Sequence, residues 1–135
     1  MIRNHVGIDL VKISRMEDIL SKEKDTFIDR VLTPGEREYV FSSSNVSRRA
    51  EHLAGRFAAK EAASKALGTG VMSDGVAFTD FEIIPGISGA PTLRLSGRAR
   101  EVADSMGVIS TSVSITHEGE YAAAFCSFLT DEEDS

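Results

Sequence analysis

The sequence predicts an α+β fold: a single small domain in which an antiparallel sheet packs against one long helix and shorter helices. Three observations carry this. Apolar residues recur at helical spacing through 48–67, between a polar stretch on one side and Gly68 and Gly70 on the other. Apolar, strand-like runs lie near both ends of the chain, at 5–13 and at 110–129, and "EGE" at 118–120 interrupts the second as a hairpin turn would. With 135 residues, 41% hydrophobic and 27% charged, the chain suits one domain whose core needs neither disulfides nor structural zinc.

In order, "HVGIDLVKI" (5–13) reads as a buried strand interrupted by Asp9. Ser14 and Glu17 in "SRME" have capping-box spacing, which predicts a helix over 15–22. "TPGE" repeats the signature, with Thr33 as cap, Pro34 at the first helical position and Glu36 closing the box of a second short helix. "SSSNVS" (42–47) is a polar loop whose Ser47 is the expected cap of the long helix over 48–67. "GTGVMSDG" (68–75) reads as loop, "AFTDFEII" (77–84) as strand, "PGISGAP" (85–91) as turn and "PTLRLS" (91–96) as a half-buried strand. Ser96 or Gly97 opens a helix through Met106, with Val102 and Met106 toward the core. "STSVSITH" and "YAAAFCSFL" complete the sheet as a hairpin. The domain is expected to span 1–129, with 130–135 as an acidic disordered tail.

Composition excludes several classes. A net charge of -6 argues against a general nucleic-acid binder. Its distribution is uneven, since residues 1–60 hold eleven Lys and Arg against nine acids and residues 61–135 hold four against twelve. The N-terminal half can therefore present a local basic surface. The single cysteine, Cys126, excludes an intrachain disulfide and Cys-rich zinc sites, and its apolar surroundings suit a buried thiol in a reducing compartment. "MIRNHVGIDL" has no signal-peptide pattern and no run is long enough to cross a bilayer, so the expectation is a soluble cytoplasmic protein with no membrane partner. The P-loop is absent, "GTGVMSDG" lacks dinucleotide-binding spacing, and "HEGEY" lacks the second histidine of a zincin.

Two acids resist a scaffold reading. Asp9 falls within a strand, and Glu61 falls within the apolar arc of the long helix, where a carboxylate is costly unless paired. Asp9 as a backbone cap and Glu61 as an i,i+4 partner of Lys65 are the plain accounts. Together the two carboxylates also suit a hard divalent cation such as magnesium, whose remaining ligands are water and phosphate, with Lys65 adding positive charge.

"GIDLVKISR", "RVLTPGE", "GRFAAKEAASKALGTG" and "SITHEGEYAAA", in that order, closely resemble holo-acyl-carrier-protein synthases, the small bacterial type of 4'-phosphopantetheinyl transferase. The resemblance runs from Val6 to about Leu129 and implies the 4'-phosphopantetheinyl transferase fold, assembled as a homotrimer. It implies magnesium-dependent transfer of the phosphopantetheine arm of coenzyme A to a serine of apo acyl carrier protein for fatty acid biosynthesis, with release of adenosine 3',5'-bisphosphate. By position in the motifs, Asp9 and Glu61 are the implied metal ligands. Glu61, Lys65 and His117 are the implied catalytic residues, with Lys65 and His117 at the phosphates; the serine proton goes to Glu61 or to a metal-bound water. Arg48 and Arg56 are implied at the 3'-phosphate, and Gly86, Gly89 and Pro91 at the adenine. Arg15 is the implied carrier contact, supported by Lys12, Lys22 and Lys24, while Met16 and Ile19 offer apolar contacts. A carrier-binding module without activity and a magnesium-dependent coenzyme A or nucleotide hydrolase are the alternatives; the Asp9, Glu61 and Lys65 set disfavours the first and the basic first helix the second.

Overall fold

Alternation along the first strand decides how the domain is layered. In β1 (Ile2–Lys12), Gly7, Asp9 and Val11 face inward, whereas Val6, Ile8 and Leu10 are exposed on the opposite face. The computed structural model describes residues 1–22, 25–71 and 73–133. β4 (Val108–Glu118) and β5 (Tyr121–Asp131) form the expected hairpin, and β5 lies in the middle of an antiparallel sheet of order β1-β5-β4. A separate antiparallel pair is made by β2 (Phe81–Pro85) and β3 (Pro91–Leu95), joined by the turn 86–90.

The long helix α4 (Val46–Leu67) lies across the inner sheet face and is buried continuously from Leu53 to Lys60. Its many alanines, with Ala122 and Ala124 on β5, allow helix and sheet to approach closely. The tightest point is Gly7, where an added Cβ would lie 1.9 Å from the Ala62 carbonyl oxygen. Gly7→Ala is expected to destabilise the fold by about 2–3 kcal/mol, because backbone must move to admit the methyl group. Chemical denaturation measures this; an unchanged midpoint would mean that β1 does not seat against α4 in this way.

Around this core lie α1 (Ile13–Ser21), α2 (Asp25–Val31), α3 (Pro34–Phe41) and α5 (Gly97–Met106). The Thr33 capping box forms as expected: Glu36 N–H donates to Thr33 Oγ1 at 3.2 Å and Thr33 N–H to Glu36 Oε1 at 2.9 Å. Gly68 ends α4 with φ +80°, the left-handed conformation that favours glycine. Val102 and Met106 pack against the core, beside the fully buried Ala99 and Ala103.

Several boundaries differ from expectation. α1 begins at Ile13 without a side-chain cap, because the Ile13 N–H donates to the Glu120 carbonyl at 2.8 Å; the β4–β5 turn replaces the Ser14–Glu17 box. α4 starts two residues early, capped by Asn45 rather than Ser47, with Arg48 N–H donating to Asn45 Oδ1 at 3.1 Å. α2 was not foreseen, since its seven residues bury only Ile28 and Val31. Residues 78–80 form a 3₁₀ turn instead of strand, because the Asp80 carboxylate accepts from the N–H groups of Ala77 and Ala99. β5 runs past 129: Thr130 is buried, Asp131 pairs with Ile2, and Glu132 N–H donates to Met1 O at 2.8 Å. Of the expected tail, Asp134 and Ser135 lie outside the described residues.

Candidate active site

Asp9 projects from β1 toward the C-terminal half of α4, which carries Glu61 and Lys65. Lys65 Nζ donates to Ile8 O at 2.9 Å and to Asp9 Oδ1 at 3.2 Å. The lysine therefore pairs with the strand carboxylate, and no ion pair between it and Glu61 forms among the described residues. Glu61 is half-buried, and its proton affinity is raised by burial first and by the neighbouring Asp9 charge second; Lys65 and Arg15 oppose the shift. Two half-buried carboxylates that repel each other favour a cation between them.

No group of three or more His, Cys, Asp and Glu suited to an ion occurs among the described residues. An ion here would take two protein carboxylates and complete its shell from water and phosphate, which fits magnesium. Zinc, which prefers a nitrogen and sulfur cage, does not fit this donor set.

The N-terminal half of α4 is cationic. Arg48 and Arg56 stand two turns apart on one face of the helix, with Arg48 exposed and Arg56 only 7% exposed. The Arg56 guanidinium lies 4.0 Å over the Tyr39 ring, its Nε has no partner, and no carboxylate pairs with it among the described residues. Burial lowers its pKa, while Tyr39 and the more distant Glu36 carboxylate oppose the shift. A buried guanidinium with no acid in direct contact can take an anion, because the aromatic face and the distant Glu36 charge offset only part of its lost hydration. His117, at the end of β4, leans onto the same stretch with Nε2 3.6 Å from Glu51 Oε2.

Other expected site residues fare differently. Arg15 is exposed on α1, stacked at 5.3 Å on Phe57 and near enough to Glu61 to oppose its shift. Met16 and Ile19 are a correction: they are 0% and 8% exposed and belong to the core, because α1 turns its apolar stripe inward. Lys22 is engaged by Asp18 at 3.0 Å, which thins the expected basic patch, and Lys24 lies outside the described residues. Gly86, Gly89 and Pro91 lie in the β2–β3 hairpin. There Gly86 is required by its own turn, since an added Cβ would come 2.4 Å from Ala90 O. Pro85, at the base of this hairpin, and Tyr39 border one cavity of about 320 Å³.

Sequence reasoning passed over Lys60. Its Nζ is fully buried and donates to Glu36 Oε1 at 2.6 Å, Phe81 O at 2.7 Å and Phe78 O at 3.1 Å. Glu36 Oε2 also accepts from Ile83 N–H at 2.9 Å. One ion pair thus ties α3 and the 78–83 segment to α4, one residue before Glu61. Burial lowers the Lys60 pKa and Glu36 opposes the shift. Tyr39, whose ring supports Arg56, was also passed over, since nothing in its spacing relates it to α4.

Comparison with known proteins identifies relatives in both sequence and fold. The 4'-phosphopantetheinyl transferase superfamily pattern matches residues 5–126. A holo-[acyl-carrier-protein] synthase of Gloeobacter violaceus is 43% identical over 126 residues, covering 93% of this chain and 92% of the relative. One from Vibrio atlanticus is 46% identical over 119 residues, covering 88% and 91%. Among solved structures, a Bacillus anthracis holo-(acyl-carrier-protein) synthase in complex with CoA (3',5'-ADP) superimposes with a TM-score of 0.76 at 36% identity, covering 94% of this chain and 96% of that one. The Chronobacterium ammoniagenes ACPS-CoA complex gives 0.80 at 36% identity, covering 96% and 99%. With a family pattern over most of its length, and relatives that share both sequence and fold, this chain belongs to the 4'-phosphopantetheinyl transferase superfamily.

Proposed function

We infer that the chain transfers the 4'-phosphopantetheine group of coenzyme A to a serine of apo acyl carrier protein, releasing adenosine 3',5'-bisphosphate. One observation carries the reading: a single helix presents a carboxylate and lysine pair beside Asp9 in its C-terminal half and, at its middle, a buried arginine that no carboxylate contacts among the described residues. That spacing suits a ligand with a reactive pyrophosphate and a second phosphate elsewhere.

In the reaction the serine Oγ forms a bond to the phosphorus next to the pantetheine, and the bond from that phosphorus to the bridging oxygen breaks. Magnesium held by Asp9 and Glu61 supplies charge neutralisation at the pyrophosphate. Lys65, already anchored at Asp9 and Ile8 O, places an ammonium where the departing phosphate gathers charge. Glu61, with its raised proton affinity, is suited to take the serine proton. Arg56 and Arg48 hold the 3'-phosphate, Arg56 through a guanidinium whose Nε has no hydrogen-bond partner among the described residues. His117, at the edge of the same surface, donates to a phosphate oxygen.

Arg15, exposed beside Glu61, is the docking contact for an acidic carrier. Arg15→Glu is expected to weaken carrier binding at least tenfold while leaving coenzyme A binding within about twofold. Titration of each ligand measures this; equal losses would remove α1 as the docking surface.

The outer sheet face supports self-association, and the family resemblance sets the number of subunits at three. Ile8 and Leu10 of β1 and Phe125 of β5 are 66%, 62% and 43% exposed on one surface, a clustering that a solitary domain rarely leaves uncovered. Sedimentation measures the assembly. In a trimer whose coenzyme A pocket is shared by neighbouring subunits, as the resemblance implies, Gly86, Gly89 and Pro91 would lie near the adenine.

A cytoplasmic setting suits Cys126, whose thiol burial pushes up to about 12, and no described helix is long and apolar enough to cross a membrane. The direct test incubates the protein with apo acyl carrier protein, coenzyme A and magnesium, with an EDTA control, and weighs the carrier. A phosphopantetheine-sized mass gain that EDTA abolishes is expected; no gain would overturn the transferase reading.

A further inference from the structure

His52 lies on α4 midway between Arg48 and Arg56, and the chemistry above does not use it. Its ring lies 5.0 Å from the Tyr39 ring, the same ring that carries the Arg56 guanidinium, so one aromatic surface backs both side chains. Its Nδ1 is buried and has no hydrogen-bond partner. The ring as a whole is only half-buried, and it forms no hydrogen bond among the described residues.

The groups around it are unbalanced. Arg48, Glu51 and Arg56 come from α4, His117 from β4 and Tyr39 from α3. Burial, then Arg56, then Arg48 hold the imidazole neutral to a lower pH than usual; Glu51, the one acid opposing them, also faces His117 at 3.6 Å. An anion placed between the two arginines would reverse the balance, cancelling the repulsion that keeps the ring unprotonated.

We propose that His52 is a third anion-binding group of this site, converted from imidazole to imidazolium when a phosphate monoester settles between Arg48 and Arg56. The proton comes from solvent, and the bond gained is a charge-assisted hydrogen bond from the half-exposed ring. This rests on the reading that coenzyme A places its 3'-phosphate there. It makes His52 a specificity residue: it favours ligands that carry this phosphate, and favours them more as pH falls.

Calorimetric titration of coenzyme A and of dephospho-coenzyme A, in two buffers of different ionisation enthalpy at pH 7, counts protons taken up on binding. The wild type is compared with His52→Gln and with His52→Phe, which retains a ring against Tyr39. The ionisation of the phosphate itself is common to all three proteins, so the difference between them reports His52. The wild type is expected to take up more protons than either variant with coenzyme A, and no more than they do with dephospho-coenzyme A. In the variants coenzyme A affinity should fall roughly tenfold, with dephospho-coenzyme A affinity unchanged. Binding of coenzyme A with equal proton uptake in all three proteins, or an equal loss of affinity for both ligands, overturns the proposal alone. Failure of the wild type to bind coenzyme A overturns the functional reading and the proposal with it.

Discussion

Glu61→Gln is expected to reduce phosphopantetheine transfer by about three orders of magnitude while leaving the fold intact. The amide keeps the size of the side chain but cannot hold a divalent cation with the affinity of a carboxylate, nor accept the serine proton. The fold should tolerate it because Glu61 is only half-buried and makes no ion pair among the described residues that the substitution would break. The same substitution should change the stability of the metal-free protein in a defined direction. Glu61 binds its proton more tightly folded than unfolded, so between its ordinary and its raised pKa the folded state carries more protons. Stability of the metal-free wild type therefore falls as pH rises through that window, and Glu61→Gln should remove this component. Magnesium, which favours the charged form, should oppose the fall. Steady-state kinetics and thermal melts from pH 4 to 8 measure both effects. Near-normal turnover in the variant would remove Glu61 from the metal site and from proton transfer together.

Lys60→Met is expected to be the most damaging substitution for stability, at about 3–5 kcal/mol. It strands the Glu36 carboxylate, 2% exposed, with backbone N–H donors alone and leaves the carbonyls of Phe78 and Phe81 without their shared ammonium. For a chain of this size that corresponds to a Tm lower by roughly 10–15 °C. The double variant Lys60→Met, Glu36→Gln should recover a substantial part of the loss, since it removes the unpaired charge as well as its partner. Thermal denaturation of the four proteins forms a complete cycle. Additive losses in the double variant would mean that the two side chains do not act as a pair.

The elements that were legible in the sequence are those whose signals are local. The Thr33 capping box, the end of α4 at Gly68 and the β4–β5 hairpin each depend on residues within a few positions of one another, and each forms as expected. Signals that depend on distant chain were missed or misread. Ser14 has the right neighbours for a cap, yet the Glu120 carbonyl on the β4–β5 turn accepts from the Ile13 N–H and the helix starts earlier. Met16 and Ile19 looked available for a partner because a helix read alone does not say which face the sheet and α4 will cover.

Within the candidate site the division is similar. Asp9 and Glu61 drew attention as acids in apolar surroundings, a property of their immediate sequence. Which of two adjacent charges would be buried was not legible: Lys60 and Glu61 are about 100° apart on the helix, and both lie within reach of the apolar arc. Packing against α3 and the 78–83 segment turns Lys60 fully inward and leaves Glu61 half-open beside Asp9. The sequence by itself determined the long helix, the hairpin strands, the acids worth questioning and the motifs of the family, because those depend on spacing along the chain. Tertiary structure alone decided that Lys65 pairs with Asp9 instead of Glu61, that Lys60 finds Glu36, and that Arg56 is buried against Tyr39. Charge pairing is set by distance through space, and residues 56 positions apart in sequence meet only once β1 is seated on α4.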